Sequence, residues 1–185
     1  YGNRETPKND PEHFIMKQLF IIVMGMLSFS SIGQEKERLT GKVRPDKIEQ
    51  SGEWYRKNYE GYKPKKSKLD SFQEALPQDE IHFEIFFGAW CPDSQREVPR
   101  IIKIFNMTGI SKDQYDLIAV NRFKDLPEAY RNRADEIKLD RVPTLIYYKD
   151  GKAVNRFVEF AQIDLLSDLI KIVKEEGYKN SYYKE

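Results

Sequence analysis

Cysteine is nearly absent: Cys91 is the only one in 185 residues. A single thiol excludes any disulfide framework within the chain. Histidine is almost as scarce, with His13 and His82 far apart. No Cys/His cluster therefore has zinc-ligand spacing, and neither a metal site nor a cofactor is expected. Charge of one sign is missing too. Lysine and arginine number 31 against 30 aspartates and glutamates, a formal net charge of +1. No global field draws such a chain to nucleic acid or acidic lipid. Leu19 to Leu27 is an apolar run of only nine residues, too short to span a bilayer comfortably. What is present is ordinary, 39% hydrophobic and 33% charged, enough in one domain-sized chain for a real core.

The short apolar run has an ordered setting. Lys17 precedes it and the small residues Ser28 to Gly33 follow. That order matches a secretory signal peptide over residues 16–33, with cleavage after Gly33; a buried core helix is the alternative. No cysteine follows the run, so no lipoprotein anchor is expected there. Residues 1–15 are polar and aperiodic, and read as a non-native or upstream segment ahead of Met16. Export implies an oxidising compartment, a bacterial periplasm, with no stable membrane insertion after cleavage.

Residues 34–67 are expected to be a tether followed by a helix. Residues 34–45 are charged and carry Gly41 and Pro45. From Asp46 to Tyr62, Ile48, Tyr55, Tyr59 and Tyr62 recur near helical spacing beside Trp54. An amphipathic helix packed on a sheet explains these aromatics; a ligand platform is the alternative. The basic stretch Gly61 to Lys68 reads as a solvated loop, since its four lysines lack a wider basic surface. Ser67 is placed to cap a short helix burying Leu69, Phe72 and Leu76, which Pro77 ends.

Glu80 to Phe87 carries bulk on both faces, the pattern of a central strand covered on two sides. Pro92 suits the first turn of a helix. Val98, Ile101, Ile102 and Phe105 form its inner stripe, and Pro99 should bend it. Tyr115 to Val120 is a second strand, while residues 126–140 are ambiguous between a short helix and turns. Thr144 to Tyr148 and Ala153 to Glu159 are strands joined by a turn with Asp150-Gly151 at its centre. Ile163 to Glu175 is amphipathic and Gly177 is placed to end it. Residues 179–185 form a tail expected to fray.

A strand, then Trp90-Cys91-Pro92-Asp93-Ser94 at a helix start, then Arg141-Val142-Pro143-Thr144 opening a later strand with an Asp-Gly hairpin, resembles the thioredoxin fold over about residues 68–176. The expected architecture is α/β and thioredoxin-like at 68–178, a central mixed sheet with helices on both faces after an N-terminal helical extension. Gly88 to Arg100, with the upstream aromatic helix, resembles exported thioredoxin-like proteins of the Bacteroidetes type, which carry an acid and a serine after the cysteine. The resemblance implies that Trp90 and Cys91 match the family's tryptophan and nucleophilic cysteine, and Pro92 an intervening position. It implies that Pro143 is a cis-proline lying against the thiol; an ordinary proline at a strand start is the alternative. Ser94 stands where the resolving cysteine would be. Ile85 stands at the place of the family's buried acid, and the adjacent Glu84 points to the opposite face.

Independently of the family, a cysteine at a helix start faces unpaired N–H groups and the positive end of the dipole, which favour thiolate. Inert burial is the competing reading. Arg96 could assist the thiolate, or form a solvated pair with Glu97. Asp93 is either a first-turn cap or a proton shuttle, Ser94 either a hydrogen-bond donor to the sulfur or a small helix residue, and Trp90 either a contact surface or a packing residue. A lone thiolate can attack a disulfide but cannot resolve the product internally. That disfavours net dithiol reduction and permits isomerisation, deglutathionylation or covalent capture.

Two functions remain open, and with them whether the chain is an enzyme. One is a monothiol thiol–disulfide oxidoreductase or isomerase acting on a cysteine-containing protein or a low-molecular-weight thiol. Cys91, Ser94 and Asp93 carry its chemistry; Trp90, Pro92, Val142, Pro143 and Thr144 form its lip. The other is a redox-inactive module that binds a peptide or protein in the same groove.

Overall fold

Alternation along one strand decides where the layers lie. In the computed structural model, which describes Gly2, residues 39–77 and residues 80–183, Ile81–Phe87 forms strand β2. Phe83, Ile85 and Phe87 enter one apolar cluster and Phe86 another, because neighbours on a strand face opposite ways. Both sides of β2 are buried apart from the half-buried His82. The proposed upstream segment (1–15, Gly2 apart) and signal peptide (16–33) lie outside the described residues.

The other strands are β1 (Gly41–Val43), β3 (Tyr115–Ala119), β4 (Thr144–Lys149) and β5 (Lys152–Val158). They form a five-stranded sheet of order β1-β3-β2-β4-β5. β2 and β3 are parallel, and every other pair is antiparallel. The helices are α1 (Pro45–Glu49), α2 (Glu53–Gly61), α3 (Lys66–Ala75), α4 (Pro92–Thr108), α5 (Ala134–Ile137) and α6 (Leu165–Val173). Ile48, Tyr55, Leu69 and Phe72 from the first three, Val98 to Phe105 of α4 and Leu165 to Val173 of α6 join the cluster on one face. The opposite face is covered by the 3-10 segment Glu128–Arg133 and by α5, through Tyr130 and Ile137. This is the thioredoxin-like α/β arrangement, with helices on both faces. Burying each large apolar side chain contributes about 1.5–3 kcal/mol.

Several local expectations change. Residues 41–43 are no tether: they pair with β3, with Val43 opposite Leu117. The aromatic helix is two helices, broken at Gly52, whose φ of +142° lies outside what other residues adopt. Tyr55 is buried and stacks on Tyr59 at 5.6 Å; these rings pack rather than form a platform. Lys65, not Ser67, is the N-cap of α3, and Ser67 already lies inside the helix. Helix α4 runs through Pro99 to Thr108 and ends on Gly109 at φ +80°, the left-handed cap that glycine takes without steric cost. The β4–β5 turn has Asp150 at φ +50° and Gly151 at +72°, as a tight hairpin requires.

The tail beyond Gly177 does not fray over the described residues. Tyr178 is buried, and its hydroxyl donates to Asp168 at 3.1 Å. Asn155 donates to the Tyr178 carbonyl, Ser181 Oγ to the Phe160 carbonyl, and Tyr182 pairs with Glu159. Buried Asp168 also accepts from the Gln162 N–H at 2.7 Å, so the tail and the entry to α6 share one carboxylate.

Candidate functional site

The site forms where the sheet's central strand becomes a helix. After Phe87 the chain turns, with the Cys91 N–H donating to the Gly88 carbonyl at 2.9 Å. Cys91 is the N-cap of α4, at φ −90° and ψ 124°, and Pro92 follows in the first turn. A proline there removes no needed donor. The Cys91 carbonyl accepts the first helical bond, from the Gln95 N–H at 2.9 Å, and the Gln95 side chain donates back to the Ala89 carbonyl at 2.7 Å.

Ser94 is fully buried, and its Oγ accepts from the Gly88 N–H at 3.2 Å. It braces the turn rather than serving as a donor to the sulfur. Asp93 is held by Arg96 at 2.7 Å, and the same guanidinium donates to Glu97. Burial works against the charge on Arg96, but its bonds to Glu97 and Asp93 outweigh this and raise it above its ordinary value. Its positive charge is thus engaged by two carboxylates, not left to assist the thiol. Asp93 stands in the first helical turn, where a carboxylate stabilises the dipole.

The Val142–Pro143 peptide is cis and brings the loop before β4 against the cysteine. The thiol donates to the Val142 carbonyl at 3.3 Å. The Pro143 carbonyl accepts from the Glu159 N–H at 2.7 Å, and Thr144 Oγ1 donates to the Arg141 carbonyl at 2.8 Å. Both bonds fasten the loop, so Thr144 supports the lip rather than forming its surface. Cys91 is 7% exposed and packs with Val120 and Val142, edged by Trp90 and Leu139.

Trp90 is half-buried and donates from Nε1 to the Val120 carbonyl at 3.0 Å. Its ring lies so close to Gly88 that a Cβ there would stand 2.5 Å from it. Trp90 is therefore a packed wall of the site. Over the ring lies the Arg122 guanidinium, 5.4 Å from its centre. Cys91, Trp90 and Val142 thus meet, with Pro143 next in the chain, Ser94 and Asp93 stiffen the helix start, and Pro92 opens it.

Val120, Leu139 and Arg122 are members that sequence reasoning missed. A signal existed for two of them: β2 and β3 were readable as strands, and parallel neighbours deliver their following loops to the same edge of a sheet. The loops after Phe87 and Ala119 meet for that reason.

Sequence comparison finds thioredoxins. The chain is 32% identical over 94 residues to thioredoxin Y2, chloroplastic, of Arabidopsis thaliana, covering 50% of this chain and 52% of that protein. It is 28% identical over 94 residues to thioredoxin Y, chloroplastic, of Oryza sativa subsp. japonica, covering 50% and 51%. The chain thus spans about half the length of the curated relatives it matches. No family model matches the chain. Among solved structures, a protein of unknown function from Pseudomonas aeruginosa aligns with a TM-score of 0.47 at 14% identity, covering 66% of this chain and 81% of that one. Thioredoxin O2 from Arabidopsis thaliana, in its oxidised state, aligns at 0.36 and 22% identity, covering 60% and 85%. The chain is thioredoxin-like.

Proposed function

We propose that the protein is an exported thiol–disulfide oxidoreductase or isomerase of the monothiol kind, forming mixed disulfides through Cys91. Its Trp90-to-Ser94 motif and upstream aromatic helices support the part of this reading that likens it to the exported Bacteroidetes type. One observation carries the chemistry: the thiol at the N-cap of α4 is 3.3 Å from the Val142 carbonyl. Similarity to thioredoxins supports thiol redox chemistry in general.

The step follows from that contact. Loss of the Cys91 proton deprives the Val142 carbonyl of its donor and places a negative sulfur at the positive end of α4. A backbone N–H of an extended substrate can take the vacated acceptor by strand-like pairing. The sulfur then attacks a substrate disulfide, one bond forms as the other breaks, and the departing thiolate takes up a proton. No second cysteine exists in the chain to release the product. Release falls to a substrate thiol other than the one just freed, whose attack leaves a rearranged disulfide and is isomerisation, or to a low-molecular-weight thiol.

A second reading, a redox-inactive module that binds peptides, is favoured by a specific observation: Cys91 is only 7% exposed with its thiol proton engaged. Exposure to glutathione disulfide, followed by intact mass, separates the two. The native protein is expected to gain one glutathionyl group, and Cys91→Ser none. Modification only after unfolding would overturn the oxidoreductase reading and leave the binding module. Export is tested by joining residues 16–40 to a reporter phosphatase that is active only outside the bacterial cytoplasm; an inactive fusion contradicts it.

A further inference from the structure

Beside the thiol stands a short loop that contributes little to the core and is nonetheless tightly built. Asn121 Oδ1 accepts from the backbone N–H groups of Phe123 at 3.0 Å and Asp125 at 3.1 Å. Its Nδ2 donates to the Asp125 carboxylate at 2.8 Å, and its carbonyl accepts from the Lys124 N–H at 3.0 Å. Lys124 sits at φ +62°, a conformation that residues with a Cβ rarely adopt. The closed loop holds Phe123 83% exposed, the most exposed of the large apolar side chains described.

Its neighbour Arg122 lies over the Trp90 ring. The remaining arginines among the described residues have carboxylate or carbonyl partners. Arg44 pairs with Asp46, Arg56 with Glu53, and Arg96 and Arg100 with Glu97. Arg133 pairs with Glu84 and Arg141 with Glu159, while Arg131 and Arg156 donate to backbone carbonyls. Arg100, Arg133 and Arg141 also lie over tyrosine rings, but among the described residues Arg122 is the one arginine whose ring contact comes without a carboxylate or carbonyl partner. Stacking fixes the guanidinium plane while its N–H edge keeps its donors for a carboxylate.

We propose that the Asn121–Asp125 loop is a docking lip for protein substrates, and that it selects extended segments in which the reacting cysteine neighbours an apolar side chain and a carboxylate. This rests on the mixed-disulfide reading of Cys91. Trp90 joins the parts: it packs against the thiol's cluster and lies under the Arg122 guanidinium. A segment laid from the thiol across Trp90 brings its carboxylate to Arg122 and its apolar side chain to Phe123. Lys124 and Asp125 carry opposite charges within the loop, so Arg122 sets the local sign. An exposed aromatic beside an arginine is the composition of an interface anchor.

The test uses short peptides, each with one cysteine held as a 2-pyridyl disulfide. The flanking residues are Leu and Glu, Leu and Lys, Ser and Glu, or Ser and Gln. The Cys91 sulfur attacks the peptide sulfur. The bond to the pyridyl sulfur breaks, and the released pyridinethione takes up the proton that Cys91 loses. One disulfide replaces another, with no net oxidation. Thione absorbance reads the rate, and intact mass confirms the adduct. The Leu/Glu peptide is expected to react fastest. Arg122→Glu is expected to invert the preference between the Glu and Lys peptides, by about threefold to tenfold in each direction at low salt and less at high salt. Phe123→Ser is expected to bring the ratio of Leu to Ser peptides towards one. Both positions are exposed, so circular dichroism and thermal midpoints should match the parent. If the parent reacts with all peptides at one rate, or neither variant changes the ratios, the docking lip is wrong and the mixed-disulfide reading stands. If no peptide reacts with the folded parent, the reading of Cys91 falls and the lip with it.

Discussion

At the scale of single residues, three contacts to backbone shape the site: Ser94 with Gly88, Trp90 with Val120 and Cys91 with Val142. Cys91 was conspicuous because it is alone and precedes a helical pattern. Spacing leaves the role of Ser94 open, and its hydroxyl decides it by accepting from the Gly88 N–H. Gly88 itself gave no signal, yet the Trp90 ring occupies the space where its side chain would be. Gly88→Ala is expected to push that ring away and break its bond to Val120, costing about 1 kcal/mol. In a Trp54→Phe background, Trp90 emission should move to longer wavelength; an unchanged spectrum contradicts the packing. Glu84 shows the same limit of sequence reasoning. Alternation placed it opposite Ile85, but its partners come from far along the chain: Arg133 at 2.8 Å and the Tyr148 hydroxyl at 2.8 Å. Arg133→Met leaves the buried Glu84 carboxylate without its cation and is expected to cost about 3 kcal/mol in urea unfolding. The double variant with Glu84→Met should regain most of that loss, because a buried pair rarely outdoes apolar packing.

At the scale of elements, interiors were easier to foresee than ends. The amphipathic pattern from Ile163 to Glu175 is helix only over Leu165–Val173. Asp164 sets the start: its side chain accepts from the Ser167 N–H at 3.1 Å and pairs with Lys68 on α3. Burial pushes the Asp164 carboxyl up, but the bonds from Lys68 and Ser167 outweigh it and hold it below the usual carboxylate range. A lowered value stabilises the fold above the unfolded carboxyl pKa, and that contribution is lost as pH falls through the folded value. Asp164→Ala should therefore cost about 1 kcal/mol at neutral pH, with the gap to the parent closing in acid. A gap that persists unchanged at low pH would remove the ionised cap from the account. The split at Gly52 was half visible, since glycine weakens a helix, but spacing alone bridged it.

At the scale of the whole molecule, aromatic burial sets the alkaline limit. Burial raises the phenols of Tyr62 and Tyr130 to about 12, and those of Tyr55, Tyr148 and Tyr178 further. Folding thus favours the neutral phenols. Their contribution is complete below the unfolded value of about 10 and is lost as pH rises through the folded values. Urea midpoints should stay level up to about pH 10 and fall steeply above it. A midpoint falling well below that pH would point to another group. The tail belongs to this scale as well. Tyr178→Phe removes a buried donor to Asp168 and is expected to cost about 1.5 kcal/mol, whereas a frayed tail would lose nothing. Its polar sequence carried no period to reveal this, because the partners Asn155, Phe160 and Asp168 lie in other elements.

Local chemistry is what the sequence by itself determined. Strand alternation, a proline after the cysteine and an Asp-Gly turn each act within a few residues, so the α/β pattern, the lone thiol at a helix start and the hairpin were legible in order along the chain. Only the tertiary structure decided which strand edges meet. The parallel pairing of β2 with β3 brings Arg122 to Trp90, and the pairing of β2 with β4 brings Val142 to Cys91. Those contacts join residues that propensity and spacing cannot relate, because register across a sheet is set by burial of whole faces rather than by neighbours in the chain.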